Sequence, residues 1–197
     1  MPNKWELMPA VIGDFVKNNS EYNKIILQLL FNRRLLEKRE IELFFNPDKK
    51  DLFDPFLFFD MAAAVALVIK HIKAQDLIVI YGDYDADGVT AAATLTEVLN
   101  IFKAKTMVYI PARVSEGYGL NNQAIDLLAK ENRAKLIITV DNGIRNKREV
   151  EYAKSAGLDI IVTDHHEAPP DPADWPDCLI LNPKADNNYP FKYLAGV

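Results

Sequence analysis

Cysteine is almost missing from this 197-residue sequence: Cys178 stands alone. That excludes an internal disulfide and any multi-cysteine zinc site, and leaves a buried structural thiol as its expected role. No apolar run reaches the roughly 18 residues that cross a bilayer. The opening Met1-Pro2-Asn3-Lys4-Trp5 is not a secretory signal, so a soluble, cytoplasmic protein with no membrane partner is expected. Positive charge is also short, 23 Lys and Arg against 28 Asp and Glu, for a formal net charge of −5. Such a chain has no general attraction for nucleic acid; a polyanionic substrate would need bound cations, a local basic groove, or help from other domains. Gly-x-Gly-x-x-Gly and Walker-A loops are absent, which removes support for dinucleotide or ATP use, and no Ser-His-Asp or Cys-His arrangement offers nucleophilic catalysis. There is no internal repeat and no low-complexity tract.

What is present suits one substantial domain with a helical appendage, at 49% hydrophobic content. Residues 1 to about 19 show little periodicity and read as a surface arm. From Glu21 to Arg39, Ile25, Ile26, Leu29, Leu30, Leu35 and Leu36 approximate a helical face with a possible break near Asn32. Arg33, Arg34, Lys38 and Arg39 read as a solvated flank of that segment, with a phosphate-contacting surface as the alternative. Asn46-Pro47-Asp48 and Asp54-Pro55 mark residues 46–56 as a loop, and Asp60 is placed to cap a helix through Lys73. Short apolar runs follow at Leu77–Tyr81, Thr106–Ile110, Leu136–Val140 and Asp159–Thr163, with a weaker one at Cys178–Leu181; helical segments near 89–102, 121–132 and 146–156 separate them. This alternation predicts an α/β fold, a mostly parallel sheet with helices on both faces, preceded by a helical segment. The division expected is 1–50 for the arm and helical segment and 51–197 for the α/β domain.

The first strand leads into Gly82-Asp83-Tyr84-Asp85-Ala86-Asp87-Gly88, three carboxylates at alternate positions. Like charges this close raise one another's pKa, and such a cluster persists when a cation sits among them. An EF-hand loop also opens Asp-x-Asp-x-Asp-Gly, but it needs a Glu at its twelfth position, which here is Thr94, and a helix where this sequence has a strand. A solvated acidic turn would explain the trio if it stood alone. Parallel sheets, however, bind ligands at the carboxyl ends of their strands, and the other strands end on polar residues too. The second leads into the Arg113–Asn121 loop, the third into Asp141-Asn142-Gly143, the fourth into Asp164-His165-His166-Glu167. Carboxylates with an imidazole favour manganese over calcium, and mixed ligands of this kind fit two divalent ions about 3.5–4 Å apart that activate a water and neutralise a phosphoryl centre. In the loop, Arg113 offers a fork for phosphate, Gly117 and Gly119 let backbone amides approach an anion, Asn121 can cap the next helix, and Tyr118 can stack on a base or pack on the loop.

With these residues in view, the chain resembles the DHH phosphoesterase superfamily through Gly82–Gly88, Thr139-Val-Asp-Asn-Gly143 and Val162-Thr-Asp-His-His166. The Glu116–Leu120 segment and the closing Leu194-Ala-Gly-Val197 are also similar to it, and the likeness covers residues 25–197. Its RecJ-type branch, which degrades single-stranded DNA from a 5′ end in repair and recombination, is the nearer match. The resemblance implies Asp83, Asp85, Asp87, Asp141 and His165 as ligands of two Mn²⁺ or Mg²⁺ ions, with Asp141 as the bridge. It implies Asp164 and His166 as catalytic residues that support the cluster or contact the scissile phosphate. Arg113, Gly117, Tyr118 and Gly119 of the loop, with Asn142, are the expected substrate-binding residues. Single-stranded nucleic acid is the implied partner; other repair proteins are not readable from the sequence. Relatives continue into a further metal-binding motif and a closing second domain, so the sequence reads as part of a longer protein. Superfamily members that cut short oligonucleotides or cyclic dinucleotides, or act as pyrophosphatases, open the first motif with a His where this chain has Tyr81. They form the alternative reading, with a non-catalytic metal-binding module as the third.

Overall fold

A computed structural model describes residues 6–197. The chain divides into two compact units, Met1–Leu52 and Phe53–Val197. In the first, helices α1 (Gly13–Asn18), α2 (Lys24–Asn32) and α3 (Lys38–Phe45) enclose a small core of Phe15, Leu27, Leu30 and Ile41. The expected surface arm over residues 1–19 is therefore partly helix: Phe15 turns inward and holds α1, while residues 1–5 lie outside the described residues. The break near Asn32 is real. Arg34 adopts a left-handed φ of 60° and Leu35 N–H returns to Leu30 O at 3.1 Å, a turn that ends α2 and sends the chain into a separate α3.

The second unit begins with a 3₁₀ turn, Pro55–Leu57, and then α4 (Met61–Ala74). Asp60 does not cap that helix: its carboxylate accepts from Ile180 N–H at 2.9 Å. Five strands follow, β1 (Leu77–Tyr81), β2 (Lys105–Tyr109), β3 (Ala134–Val140), β4 (Asp159–Thr163) and β5 (Leu179–Leu181), in the order β2-β1-β3-β4-β5 and parallel throughout. Crossovers run through α5 (Ala86–Ile101), through α6 (Asn122–Asp126) with a π-helical turn at Leu127–Glu131, and through α7 (Lys147–Ser155).

Alternate strand residues go to opposite faces, which is why the strands read as continuous apolar runs. Val79, Ile137, Ile160 and Val162 pack under α6 and α7 with Ile125, Leu128 and Val150. Ile78, Ile80, Ile138 and Ile161 pack under α4 and α5 with Ala64, Ala92 and Leu99. The small residues of α4 and α5 let both helices lie close to the sheet. From β1 the chain leaves through α5 toward β2, whereas from β3 it leaves through α7 toward β4. The loops after β1 and β3 thus diverge and open a crevice at the switch of strand order, the place where open parallel sheets take ligands.

Candidate metal centre

Ladder bonds carry the site residues out of the sheet. Gly82 N–H continues β1 onto Tyr109 O at 2.9 Å, Asp141 N–H continues β3 onto Thr163 O at 3.0 Å, and Asp164 N–H continues β4 onto Leu181 O at 3.1 Å. Each carboxylate is therefore fixed by backbone of the rigid sheet and not by a free loop.

After Gly82 the chain turns at once into α5. Asp85 caps that helix, its Oδ1 accepting from Asp87 N–H and Gly88 N–H, each at 3.0 Å. The amide of Gly88 is the main reason that the Asp85 carboxyl is held below its ordinary range. Asp83 is 4% exposed, and burial raises its pKa despite the 2.7 Å bond from Tyr84 N–H. Gly88 is required by space: a Cβ there would lie 2.6 Å from Asp83 N and 2.7 Å from Asp83 Cα.

Asp141 is the centre of the arrangement. It is 1% exposed, takes a left-handed φ of 63°, and leaves both carboxylate oxygens without a hydrogen bond. Burial, then the charges of Asp87 and Asp85, push its pKa up to about 6. An unpaired buried carboxylate is costly, and a cation among its neighbours is the arrangement that offsets the cost. Around it, oxygens of Asp83, Asp85 and Asp141 lie within 4.8 Å of one another, as do donor atoms of Asp141, His165 and His166. Asp141 belongs to both groups.

The turn after β4 is organised by Asp164. Its Oδ1 accepts from His165 N–H at 2.7 Å and His166 N–H at 3.1 Å, and its Oδ2 from Ile144 N–H at 3.0 Å. Asp164 also meets His166 Nδ1 at 2.8 Å. It ties the β4 turn to the β3 turn and orients His166, with its oxygens engaged by backbone. His165 Nε2 points to the cluster, 3.0 Å from Asp141 Oδ1 and 3.6 Å from Asp87 Oδ2. Asp87 stands at the rim: its oxygens accept from Gly196 N–H at 2.8 Å and Val197 N–H at 3.0 Å, and it belongs to neither close group.

The expected substrate-binding residues separate. Arg113 lies over the Tyr84 ring, 4.9 Å from its centroid. Gly117 and Gly119 both have positive φ, 82° and 78°; Gly117 is in the open, whereas a Cβ on Gly119 would strike Asn146 Oδ1 at 2.5 Å, so Gly119 shapes the loop. Tyr118 donates to Asp141 O at 3.1 Å and borders His166, and burial with the surrounding carboxylates pushes its phenol pKa upward. Asn142, expected on the substrate side, is fully buried: it donates to Tyr81 O at 3.2 Å and Val140 O at 2.9 Å, which locks β1 to β3, and its Oδ1 has no partner. Sequence reasoning missed Glu116, whose carboxylate gathers Tyr109 OH and Ala112 N–H to brace the loop, and Asn146, which holds Leu120. Asn121 caps α6 as expected, accepting from Ala124 N–H at 2.8 Å. Tyr81, at the position of the alternative's histidine, is buried with its hydroxyl on Gly119 O at 3.0 Å and takes no part in the cluster.

The DHH family, N-terminal domain, matches residues 77–190, which holds all three polar turns. The chain belongs to the DHH family. It is 42% identical over 199 residues to the single-stranded-DNA-specific exonuclease RecJ of Bacillus subtilis, covering 98% of this chain and 25% of that protein. To the RecJ of Escherichia coli it is 38% identical over 135 residues, covering 68% of this chain and 23% of that protein. Among solved structures it is similar to exonuclease RecJ bound to manganese, with a TM-score of 0.65 and 30% identity over 74% of this chain and 36% of that one. The chain thus spans about a quarter of the length of the curated relatives it matches.

Carboxylate oxygens with imidazole nitrogen are the donor set that Mn²⁺ and Mg²⁺ accept. The two unpaired oxygens of Asp141 lie where the Asp83/Asp85 group and the His165/His166 group meet. The residues present fit a divalent-metal centre.

Proposed function

We propose that this chain carries the metal-dependent phosphodiester-cleaving core of a RecJ-type exonuclease acting on single-stranded DNA, with 5′→3′ polarity and a cytoplasmic role in repair and recombination. The observation that carries this reading is Asp141, a buried carboxylate with two unpaired oxygens shared by both donor groups. Asp83, Asp85, Asp141 and His165 would hold Mn²⁺ or Mg²⁺, with Asp87 and His166 beside them. A bound pair of such ions supplies a polarised water and charge neutralisation at a phosphoryl centre.

The chain's own contribution is placement. Asp164 fixes the relation of the β3 and β4 turns through Ile144 N–H and the two histidine amides. Tyr118 closes the cluster on one side through Asp141 O. Arg113 and Tyr84 together present a cation and an aromatic face at the mouth, suited to a phosphate and a base. With a net charge of −5, attraction for the substrate would come from bound cations, a local basic groove or other domains. Among the described residues no single helix is long and apolar enough to cross a membrane.

The test is cleavage in Mn²⁺ of 5′-labelled single strands, duplexes and dinucleotides, by this chain extended through the further metal-binding motif and second domain that relatives carry, and by the Asp141→Asn form of that longer protein. Single strands shortened to mononucleotides by the first and untouched by the second is the expected result. Cleavage of dinucleotides alone would favour the short-oligonucleotide reading, and Mn²⁺ binding without any cleavage would leave a metal-binding module.

A further inference from the structure

The segment Leu194-Ala195-Gly196-Val197 folds back over the cluster and touches three of its residues. His165 Nδ1 lies 3.0 Å from Leu194 O. A carbonyl only accepts, so Nδ1 is the nitrogen that carries a proton here, and Nε2 is the one turned to the cluster. That atom faces Asp141 Oδ1 at 3.0 Å and Asp87 Oδ2 at 3.6 Å, two carboxylates of the candidate centre. Gly196 lies against Asp141 itself: a Cβ on it would be 2.5 Å from Oδ1, 2.7 Å from Cγ and 2.8 Å from Cβ of Asp141. Asp141 is 1% exposed and its backbone is held by the β3 ladder, so a Cβ on Gly196 would displace the Asp141 carboxylate or the segment itself. The amides of Gly196 and Val197 bind Asp87 and so fasten the same segment to the first turn of α5.

We propose that Leu194–Val197 is a positioning strap of the metal centre: the Leu194 carbonyl selects the His165 tautomer with Nε2 free, and the bare Gly196 leaves Asp141 its donor geometry. The proposal rests on the metal-centre reading above, but its test needs neither substrate nor turnover. Partners of this kind orient metal-binding histidines, and their loss costs roughly 10–100-fold in metal affinity.

Nitrogen-resolved NMR of the metal-free chain, at about pH 8 and so above the ordinary histidine range, should find His165 protonated at Nδ1. Protonation mainly at Nε2 overturns the strap. Calorimetric titration with MnCl₂, at a temperature where circular dichroism shows both variants folded, should show Gly196→Ala weakened by roughly 10–100-fold, while Tyr193→Ala, an exposed side chain just outside the strap, binds as the parent does. Parent-like Mn²⁺ affinity in Gly196→Ala, or an equal loss in Tyr193→Ala, also overturns it. Should Gly196→Ala fail to fold, the tautomer of the unaltered chain decides. Absence of Mn²⁺ binding by the unaltered chain would remove the function proposed above, and the tautomer would still judge the strap.

Discussion

Replacing Asp141 by Asn is expected to stabilise the metal-free protein and to abolish its response to Mn²⁺. Burial, with the charges of Asp87 and Asp85, moves the Asp141 pKa from 3.8 to about 6. That rise corresponds to about 3 kcal/mol against the folded state once the carboxylate is fully ionised. The sign follows from which state holds the proton. Below about pH 4 both folded and unfolded chains are protonated and there is no penalty. Between about 4 and 6 the unfolded chain ionises while the folded one keeps its proton, so stability falls as pH rises; above about 6 the penalty is complete and flat. Asn carries no charge to bury, tolerates the φ of 63°, and keeps a polar atom within hydrogen-bond distance of His165 Nε2, which sits 3.0 Å from Oδ1. Urea denaturation in chelator should therefore show Asp141→Asn more stable by up to about 3 kcal/mol at pH 7 and nearly equal at about pH 4. With Mn²⁺ added, the parent's thermal midpoint should climb and the variant's stay put. A variant less stable than the parent at pH 7 in chelator, or one that still responds to Mn²⁺, would refute the reasoning.

Gly88→Ala should lose about 1–3 kcal/mol, because its new methyl meets backbone of Asp83 at 2.6 Å and something must shift; an unchanged thermal midpoint would contradict this. At the opposite end of the strands, buried His71 meets Asp76 Oδ2 and Asp159 Oδ2, each at 2.9 Å. Burial acts to raise the Asp159 carboxyl, but hydrogen bonds from Lys70 and His71 outweigh it and hold the pKa low, so its stabilisation is present above the ordinary carboxylate range and is lost as pH falls through it. Asp159→Asn should flatten the acid limb of a stability–pH series while leaving Mn²⁺ affinity unchanged, and an unaltered limb would remove the role. The Cys178 thiol is pushed up to about 12 by burial, so a thiol reagent at about pH 8 should react with it far more slowly in the folded than in the urea-unfolded chain; equal rates would show the thiol to be open.

Much of the fold was legible because a doubly covered parallel sheet writes both faces into one apolar run. Leu77–Tyr81 and Asp159–Thr163 are strands over those same spans, since every residue between their ends is buried on one face or the other. Boundaries shifted where side chains took on tasks that periodicity does not carry. The helix after β1 begins at Ala86 and not near 89, because Asp85 serves as its cap while also belonging to the acidic trio. Asp60 looked like a cap, but a partner 120 residues away in sequence, Ile180, takes its carboxylate. The N-terminal segment gave a helical face but hid a left-handed turn at Arg34, which has none of the usual glycine signal.

The site divides along the same line, and Asp141 and Asn142 show why. Both are polar, both leave β3, and a reading of strand ends assigns both outward, to metal and to substrate. One further ladder bond, Asp141 N–H to Thr163 O, and a left-handed φ decide between them: Asp141 turns its carboxylate into the crevice, and Asn142 swings back under the sheet edge to donate to Tyr81 O and Val140 O. A conformation of one residue thus separates a carboxylate that faces the crevice from a strut, and nothing in the order Asp-Asn-Gly states which is which. Thr139 adds to the choice by donating to Asn142 O at 2.7 Å, closing the turn from below. Gly143 must then take a φ of 113°, with Thr139 Oγ1 only 2.8 Å from where a Cβ would stand. The chemistry was readable as a set of acids and histidines on one edge. Which atom faces the crevice is a property of the turn, and the turn is set by the strands it leaves.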